Sequence, residues 1–365
     1  MSSSRLAALL IAATVAATSI AAATAATNRG AKSGAPKYRI ALANSFIGNT
    51  WRVEMANLFK AGCKMPPYSQ QVTCSVYNSG NDVGKQTQQI SNLISQRVDA
   101  IVLNAASPAG LNGIIKQACD RGIVVVSFDN VVTAPCAQTV NTNQLKFGMQ
   151  GAQFLVDQLK GKGNVVMVTG VAGTFADSER NRGAQMVFKA NPGIKVVGKY
   201  SGNWDSAAAQ RATAAQLPSL PDVDGVWVSG GTDGVLKAFV SADKPLPITA
   251  GEGENGFRKF LLREGYKGKH TPGISIGQPP YLSLVALELA RAILTKEHAK
   301  SNIEIPFPYV THKTVKKGLT VFPNLPDSFF ADFTDSGPNA TLVICVQAAL
   351  TGKPCPGSLK VKLPT

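Results

Sequence analysis

From residue 38 onward the chain repeats one pattern: a short, nearly continuous apolar run, then a longer stretch in which apolar residues return every three or four positions. The first is the mark of a strand buried on both faces, the second of an amphipathic helix. Read this way, strands fall at 38–43, 72–77, 100–103 and 124–128, with helices at 50–63, 84–96 and 108–121. A second series follows, with strands at 164–169, 195–200, 225–228, 247–250 and 274–276 and helices at 178–191, 206–217 and 232–241. Residues 281–294 read as a long, mostly apolar helix and the Pro-rich stretch 305–326 as extended, while no pattern is assigned from Asp327 onward. Strand and helix in alternation predict an α/β protein of two doubly wound parallel-sheet lobes. Open sheets of this kind bind ligands beyond the carboxyl ends of their strands, so chemistry is sought in an interlobe cleft, just after each strand.

The amino terminus departs from this pattern. Met1 to Arg5 lead into an apolar run that turns into alanine and threonine, and Ala23-Thr24-Ala25 offers the small-x-small site of a signal peptidase. The apolar heart, residues 6–17, is shorter than the ~20 residues of a membrane span. Residues 1–26 are therefore read as a cleaved signal peptide in preference to an uncleaved anchor. Cleavage lowers the formal charge by one, from +15 to +14, and no cysteine near the cut suggests a lipid anchor. A soluble, exported, periplasmic protein is expected. The excess of 37 Lys and Arg over 22 Asp and Glu is not clustered: Lys313 to Lys317 holds three lysines and no aromatic, so no nucleic-acid partner is expected.

Export into an oxidising compartment makes the six cysteines readable as disulfides, whose connectivity sequence alone leaves open. Order along the chain favours three local bridges, Cys63 with Cys74, Cys119 with Cys136, and Cys345 with Cys355. The rival, a zinc site, lacks a Cys-x-x-Cys, and His270, His298 and His312 lie in unrelated lysine-rich loops. Neither a metal nor a cofactor is expected.

The strand ends carry the candidate chemistry. The first is followed by Phe46, Asn49, Trp51 and Arg52, the fourth by Asp129-Asn130, and the first strand of the second series by a Gly-rich loop leading to Arg180 and Gly183. Later ends present Trp204-Asp205, Gly230 to Asp233, Glu252 and Gln278. Carboxylates, amides and guanidinium groups make paired hydrogen bonds to adjacent hydroxyls, and aromatic faces stack on the C–H face of a sugar ring. That inventory suits a polyol. Blander roles compete: Asp129, Glu252 and Asp233 as helix caps, the tryptophans as core packing, Arg52 or Arg180 as solvated ion-pair partners, and Gln278 as a turn residue before Pro279-Pro280. The literal G-x-G-x-x-G at residues 251–256 is rejected as a dinucleotide site, because its two glutamates would oppose a pyrophosphate and it does not follow the first strand of its sheet.

Over about residues 38–320 the arrangement resembles the type I periplasmic sugar-binding proteins of ABC importers, the group of ribose-, galactofuranose- and autoinducer-2-binding proteins. The family's first-loop Asn and stacking aromatic correspond to Asn49 and Trp51. Arg52 stands where ribose binders carry a second aromatic, and the Trp-Arg pair is closer to galactofuranose binders. The strand-end Asp corresponds to Asp129, followed here by Asn130 instead of Arg. Arg-x-x-Gly corresponds to Arg180 and Gly183, the aromatic-Asp pair to Trp204-Asp205, the later acid to Glu252, one methylene longer than the usual Asp, and the hinge-side Gln to Gln278. The family's later ligand Asn falls near Gly231 and is absent or moved.

The resemblance implies a non-enzymatic, monomeric receptor for a monosaccharide or sugar alcohol. Its lobes would be 38–141 plus 279–306 and 142–278 plus 307–323, with crossings near 140–143, 278–280 and 305–308 and a tail at 324–365. Phe46, Asn49, Trp51, Arg52, Asp129, Asn130, Arg180, Trp204, Glu252 and Gln278 would hold the ligand, and an ABC permease in the inner membrane, with a chemoreceptor as a second partner, would recognise the closed form. A furanose-type signal receptor is the alternative within this class, and a sugar-sensing repressor core shares the fold but carries a DNA-binding head where this chain has its signal peptide. From another class, an exported carbohydrate-active hydrolase could pair Asp129 with Glu252. Their expected placement on different lobes, with Arg180 keeping them ionised, suits binding better. The signal-peptide reading predicts that the exported protein begins near Ala26 or Thr27 without lipid. Intact mass checks this, and a soluble product retaining Arg5 overturns it.

Overall fold

The computed structural model describes residues 37–263, 265–297, 302–332 and 344–363. The predicted signal peptide and His298 lie outside the described residues. The first sheet holds β1 (Tyr38–Asn44), β2 (Val72–Asn78), β3 (Ala100–Asn104), β4 (Val124–Phe128), β5 (Gln138–Asn141) and β11 (Asn302–Glu304), in the order β11-β5-β4-β3-β1-β2, with all neighbours parallel. The second holds β6 (Gly163–Thr169), β7 (Ile194–Ser201), β8 (Gly225–Val228), β9 (Ile248–Glu252), β10 (Gly273–Ile276) and β12 (Tyr309–Thr311), in the order β12-β10-β9-β8-β6-β7, with β12 antiparallel to β10. Both sheets are doubly wound, as the alternation predicts.

The strands are continuously apolar because each sheet is covered twice. In β1, Ile40 and Leu42 enter one core while Ala41 and Ala43 enter another on the opposite face, the two-residue period of a strand buried on both sides. Helices α1 (Thr50–Cys63) and α10 (Leu282–Leu294) build the first of these cores; α3 (Val83–Ser95) and α4 (Asn112–Asp120) build the second. The short α2 (Tyr68–Gln71) leads into β2. Around the second sheet, α5 (Gln144–Gln158) and α6 (Phe175–Ala190) cover one face and α7 (Ser206–Gln216) and α8 (Thr232–Ser241) the other, with α9 (Asn255–Leu261) beside a smaller cluster. The chain passes between the sheets after β5, after β10 and after β11.

Several elements differ from the sequence reading. Residues 138–141 pair as β5 before the first crossing, and α5, which the pattern did not reveal, follows at once. Its buried stripe includes Gly148, Gly151 and Ala152, so the periodic signal is weak where the helix packs tightest. A Cβ on Gly148 would lie 2.0 Å from the Arg180 carbonyl oxygen, and one on Gly183 would lie 2.2 Å from the Leu145 carbonyl oxygen. Facing glycines thus let α5 and α6 approach backbone to backbone. Helix α6 begins at Phe175, three residues before the predicted 178, because the Thr174 hydroxyl accepts from the Asp177 amide at 3.4 Å. Downstream, Phe329, Phe330, Ile344 and Leu359 enter the core of the first sheet, and α11 (Val346–Thr351) packs on α1, where Asn57 Nδ2 donates to the Ala349 carbonyl at 2.9 Å.

All six cysteines are bonded, Cys63 to Cys74, Cys119 to Cys136 and Cys345 to Cys355, across sequence separations of 11, 17 and 10 residues. Loops of this size contribute about 3 kcal/mol each in the chain-entropy model. Peptide mapping without reduction is expected to recover these three pairs and no cross-pairing, and reduction to lower the melting temperature.

Candidate functional site

The strand ends converge on a narrow cavity lined by Asn49, Trp51, Arg52, Asp129, Ala176, Arg180, Trp204, Glu252, Gln278 and Phe330. Each sheet supplies one buried arginine and one buried carboxylate. From the first, Asn49 caps α1 by accepting from the Arg52 amide at 3.0 Å, which turns the next side chains toward the strand ends. Arg52 Nη1 donates to Asn44 Oδ1 at 2.9 Å, and Nη2 stands 3.5 Å from Asp129 Oδ2. Burial lowers the Arg52 pKa, opposed by Asp129. Asp129 adopts a left-handed backbone with φ of 58°, a conformation that costs about 1 to 2 kcal/mol. Donors hold it on both oxygens: Asn104 at 3.1 Å and Asn130 at 2.9 Å on Oδ2, and Gln278 at 2.7 Å on Oδ1.

From the second sheet, Arg180 is fixed by the α5–α6 contact. Its Nε donates to Gln144 Oε1 at 2.7 Å, its Nη1 to the Ser229 carbonyl and Glu252 Oε1 at 2.8 Å each, and its guanidinium stands 3.9 Å from the Phe147 ring centroid. These bonds leave Arg180 Nη2 and Glu252 Oε2 without a hydrogen-bond partner among the described residues. Glu252 ends β9, and burial, opposed by Arg180 and reinforced by Glu254, pushes its carboxyl up to about 8. Desolvation and the Arg180 ion pair thus act on this carboxyl in opposite directions. Trp204, also left-handed with φ of 54°, donates from Nε1 to Ser229 Oγ at 2.9 Å.

Of the residues proposed from sequence, Asn49, Trp51, Arg52, Asp129, Arg180, Trp204, Glu252 and Gln278 line this cavity together. Phe46 and Asn130 are not among its walls. Phe46 is half-buried and packs over Gly48, while Asn130 accepts from the Ala176 amide at 3.1 Å across the gap between the sheets. A second link across that gap runs from Asn49 Nδ2 to the Trp204 carbonyl at 3.3 Å. Asp205 caps α7 through the Ala208 amide at 2.7 Å, and Gly231 donates to the Glu254 carboxylate. Asn104 was missed although it ends β3, where the strand-end rule would have found it. Ala176 and Phe330 carried no such signal.

The glutamates give a pH dependence. Glu54, Glu252 and Glu254 are all raised by burial, so the folded protein binds more protons than the unfolded chain above the ordinary carboxyl range. Their stabilisation is complete at low pH and is lost as pH rises toward the folded values. Ligand-free protein should therefore melt at progressively lower temperature from about pH 5 to pH 8. Glu252→Gln should reduce that slope without abolishing it, as differential scanning calorimetry across the range would check.

Comparison with known proteins agrees with the topology. The sequence model for the periplasmic binding protein domain matches residues 40–298. A xylitol-binding protein of Mycolicibacterium smegmatis is 29% identical over 248 residues, covering 66% of this chain and 69% of that protein. The ribose import binding protein of Bacillus subtilis is 25% identical over 287 residues, 78% and 90% of the two chains. An ABC transporter solute binding protein of Thermobispora bispora superposes with a TM-score of 0.69 at 32% identity, covering 74% of this chain and 84% of that one. A family match that runs through both sheets, with relatives and a solved structure of the same kind, places this chain in the periplasmic binding protein family.

Proposed function

We propose that the protein is an exported, non-enzymatic receptor that captures a monosaccharide or sugar alcohol between its two sheets and delivers it to an ABC importer. The observation that carries this reading is the lining of the cavity: a buried arginine–carboxylate pair from each sheet, with Trp51 and Trp204 as apolar surfaces. A polyol matches that lining because its hydroxyls both donate and accept while its C–H faces stack on aromatic rings. Arg180 Nη2 is a spare donor and Glu252 Oε2 a spare hydrogen-bonding oxygen for such a ligand. Binding across the sheets favours the closed arrangement, which a permease can then distinguish from the open one. The names of the relatives, receptors for xylitol and ribose, support a small polyhydroxylated ligand.

The raised Glu252 carboxyl favours a second reading, a hydrolase with Glu252 as general acid and Asp129 as its partner. Against it, Asp129 is held by Asn104, Asn130 and Gln278, and Glu252 is tied to Arg180. Saturable binding without glycoside turnover separates the two.

A thermal-shift screen of monosaccharides and polyols is expected to find a stabilising ligand, since one present at 100 times its dissociation constant adds about 2.7 kcal/mol. Arg180→Ala should weaken that ligand by about 1.5 to 3 kcal/mol, roughly 10- to 150-fold. Trp204→Ala, at a partly exposed ring, should weaken binding and leave the protein folded. Full affinity in both variants would place the ligand elsewhere.

A further inference from the structure

The tenth wall of the cavity comes from neither sheet. Residues 322–332 run beside α9 as a strap. Asn255 Nδ2 donates to the carbonyls of Phe322, Leu325 and Pro326 at 2.8 to 3.1 Å, and the Asn255 amide donates to the Phe329 carbonyl at 2.7 Å. Asp332 accepts from Arg258 Nη2 through both oxygens at 2.7 Å, in a buried pair, and Asp327 pairs with Lys237 and Lys259. All of these partners belong to the second sheet's helices. In the midst of them the strap reaches the first sheet: the Phe330 amide donates to Glu54 Oε1 on α1 at 2.9 Å, and the Phe329 and Phe330 rings enter that sheet's core. Phe330 is 5% exposed and lines the same cavity as the arginines and tryptophans.

From this placement we infer that Phe330 is a specificity-determining wall, delivered by the C-terminal strap, that limits the size and polarity of the ligand on its side. Most other walls of the cavity can donate or accept. A phenyl ring can do neither, so a hydroxyl or hydroxymethyl pressed against it loses its water and gains no partner, whereas a bare C–H edge is accommodated. The inference rests on the polyol reading above and deepens it. The ring also differs from Trp51 and Trp204 in its mounting: it is carried by the strap, whose contacts include Asp332 with Arg258.

The test uses pairs of probes that differ by one hydroxymethyl or one carbinol group: D-ribose with D-allose, D-xylose with D-glucose, and xylitol with D-glucitol. Wild type, Phe330→Ala, Phe330→Leu and Asp332→Asn are titrated by calorimetry. Phe330→Ala is expected to shift the ratio of dissociation constants within a bound pair toward the larger member by about tenfold or more. Phe330→Leu should give a smaller shift in the same direction, and Asp332→Asn should weaken both members alike. An unchanged ratio in Phe330→Ala, with binding retained, overturns the assignment and leaves the receptor reading standing. If Phe330→Ala fails to fold, Phe330→Leu decides on the same criterion. Wild type that binds no member of any pair overturns both.

Discussion

The constraint on which the cleft depends is the cost of holding charge away from water. A bare buried ion costs several kcal/mol, and a mutual ion pair recovers that only when its remaining hydrogen-bonding capacity is met. Here Arg52, Asp129, Arg180 and Glu252 are all buried; the first three bond neutral partners, Asn44, Asn104, Asn130, Gln144, Gln278 and the Ser229 carbonyl, while the Glu252 carboxyl is held by Arg180. The amides are therefore as much a part of the site as the charges. They fix where the charges point before any ligand arrives, which is what makes a site selective for hydroxyl geometry instead of merely polar.

The same network reaches the crossings between the sheets. Gln278, on the second crossing, donates to Asp129 and accepts from Thr142 on the first crossing at 2.5 Å, while its backbone carbonyl accepts from Trp51 Nε1 at 2.6 Å. One side chain thus joins a cleft carboxylate, a neighbouring crossing and, through its backbone, an aromatic wall. Hinge motions are absorbed by a few residues at element ends, and these residues are bonded to the groups proposed to hold ligand.

On the far side, the strap and the tail add contacts that the double-sheet architecture does not require. Asn255 and Arg258 hold the strap to the second sheet's helices, and the rings of Phe329 and Phe330 complete the first sheet's core. Beyond it, Leu359 packs near Gly62, and the Cys345–Cys355 bridge closes the loop that contains α11. The first sheet's hydrophobic core is therefore finished only by the last part of the chain.

What the sequence determined by itself was everything governed by local periodicity and by position relative to a strand end. Ile40 and Leu42 alternate with Ala41 and Ala43, so a two-faced strand could be read, and Asp129, Arg180, Trp204 and Glu252 follow or end strands, so a shared cleft could be inferred. Cysteines close in sequence were paired in order, and the structure bonds them that way. Three things were decided only by tertiary structure. Helix α5 was hidden because its contact face uses glycines, whose value is close approach to Arg180 and Leu145 and whose apolar signal is small. The raised pKa of Glu252 depends on how deeply the packed chain buries it, which no spacing encodes. Phe330 enters the cavity from a segment without periodicity, and its place is set by Asn255, Arg258 and Glu54, far away in sequence. Local pattern reports which face of an element is apolar, but only the packed chain decides which distant side chain fills the space that those faces leave.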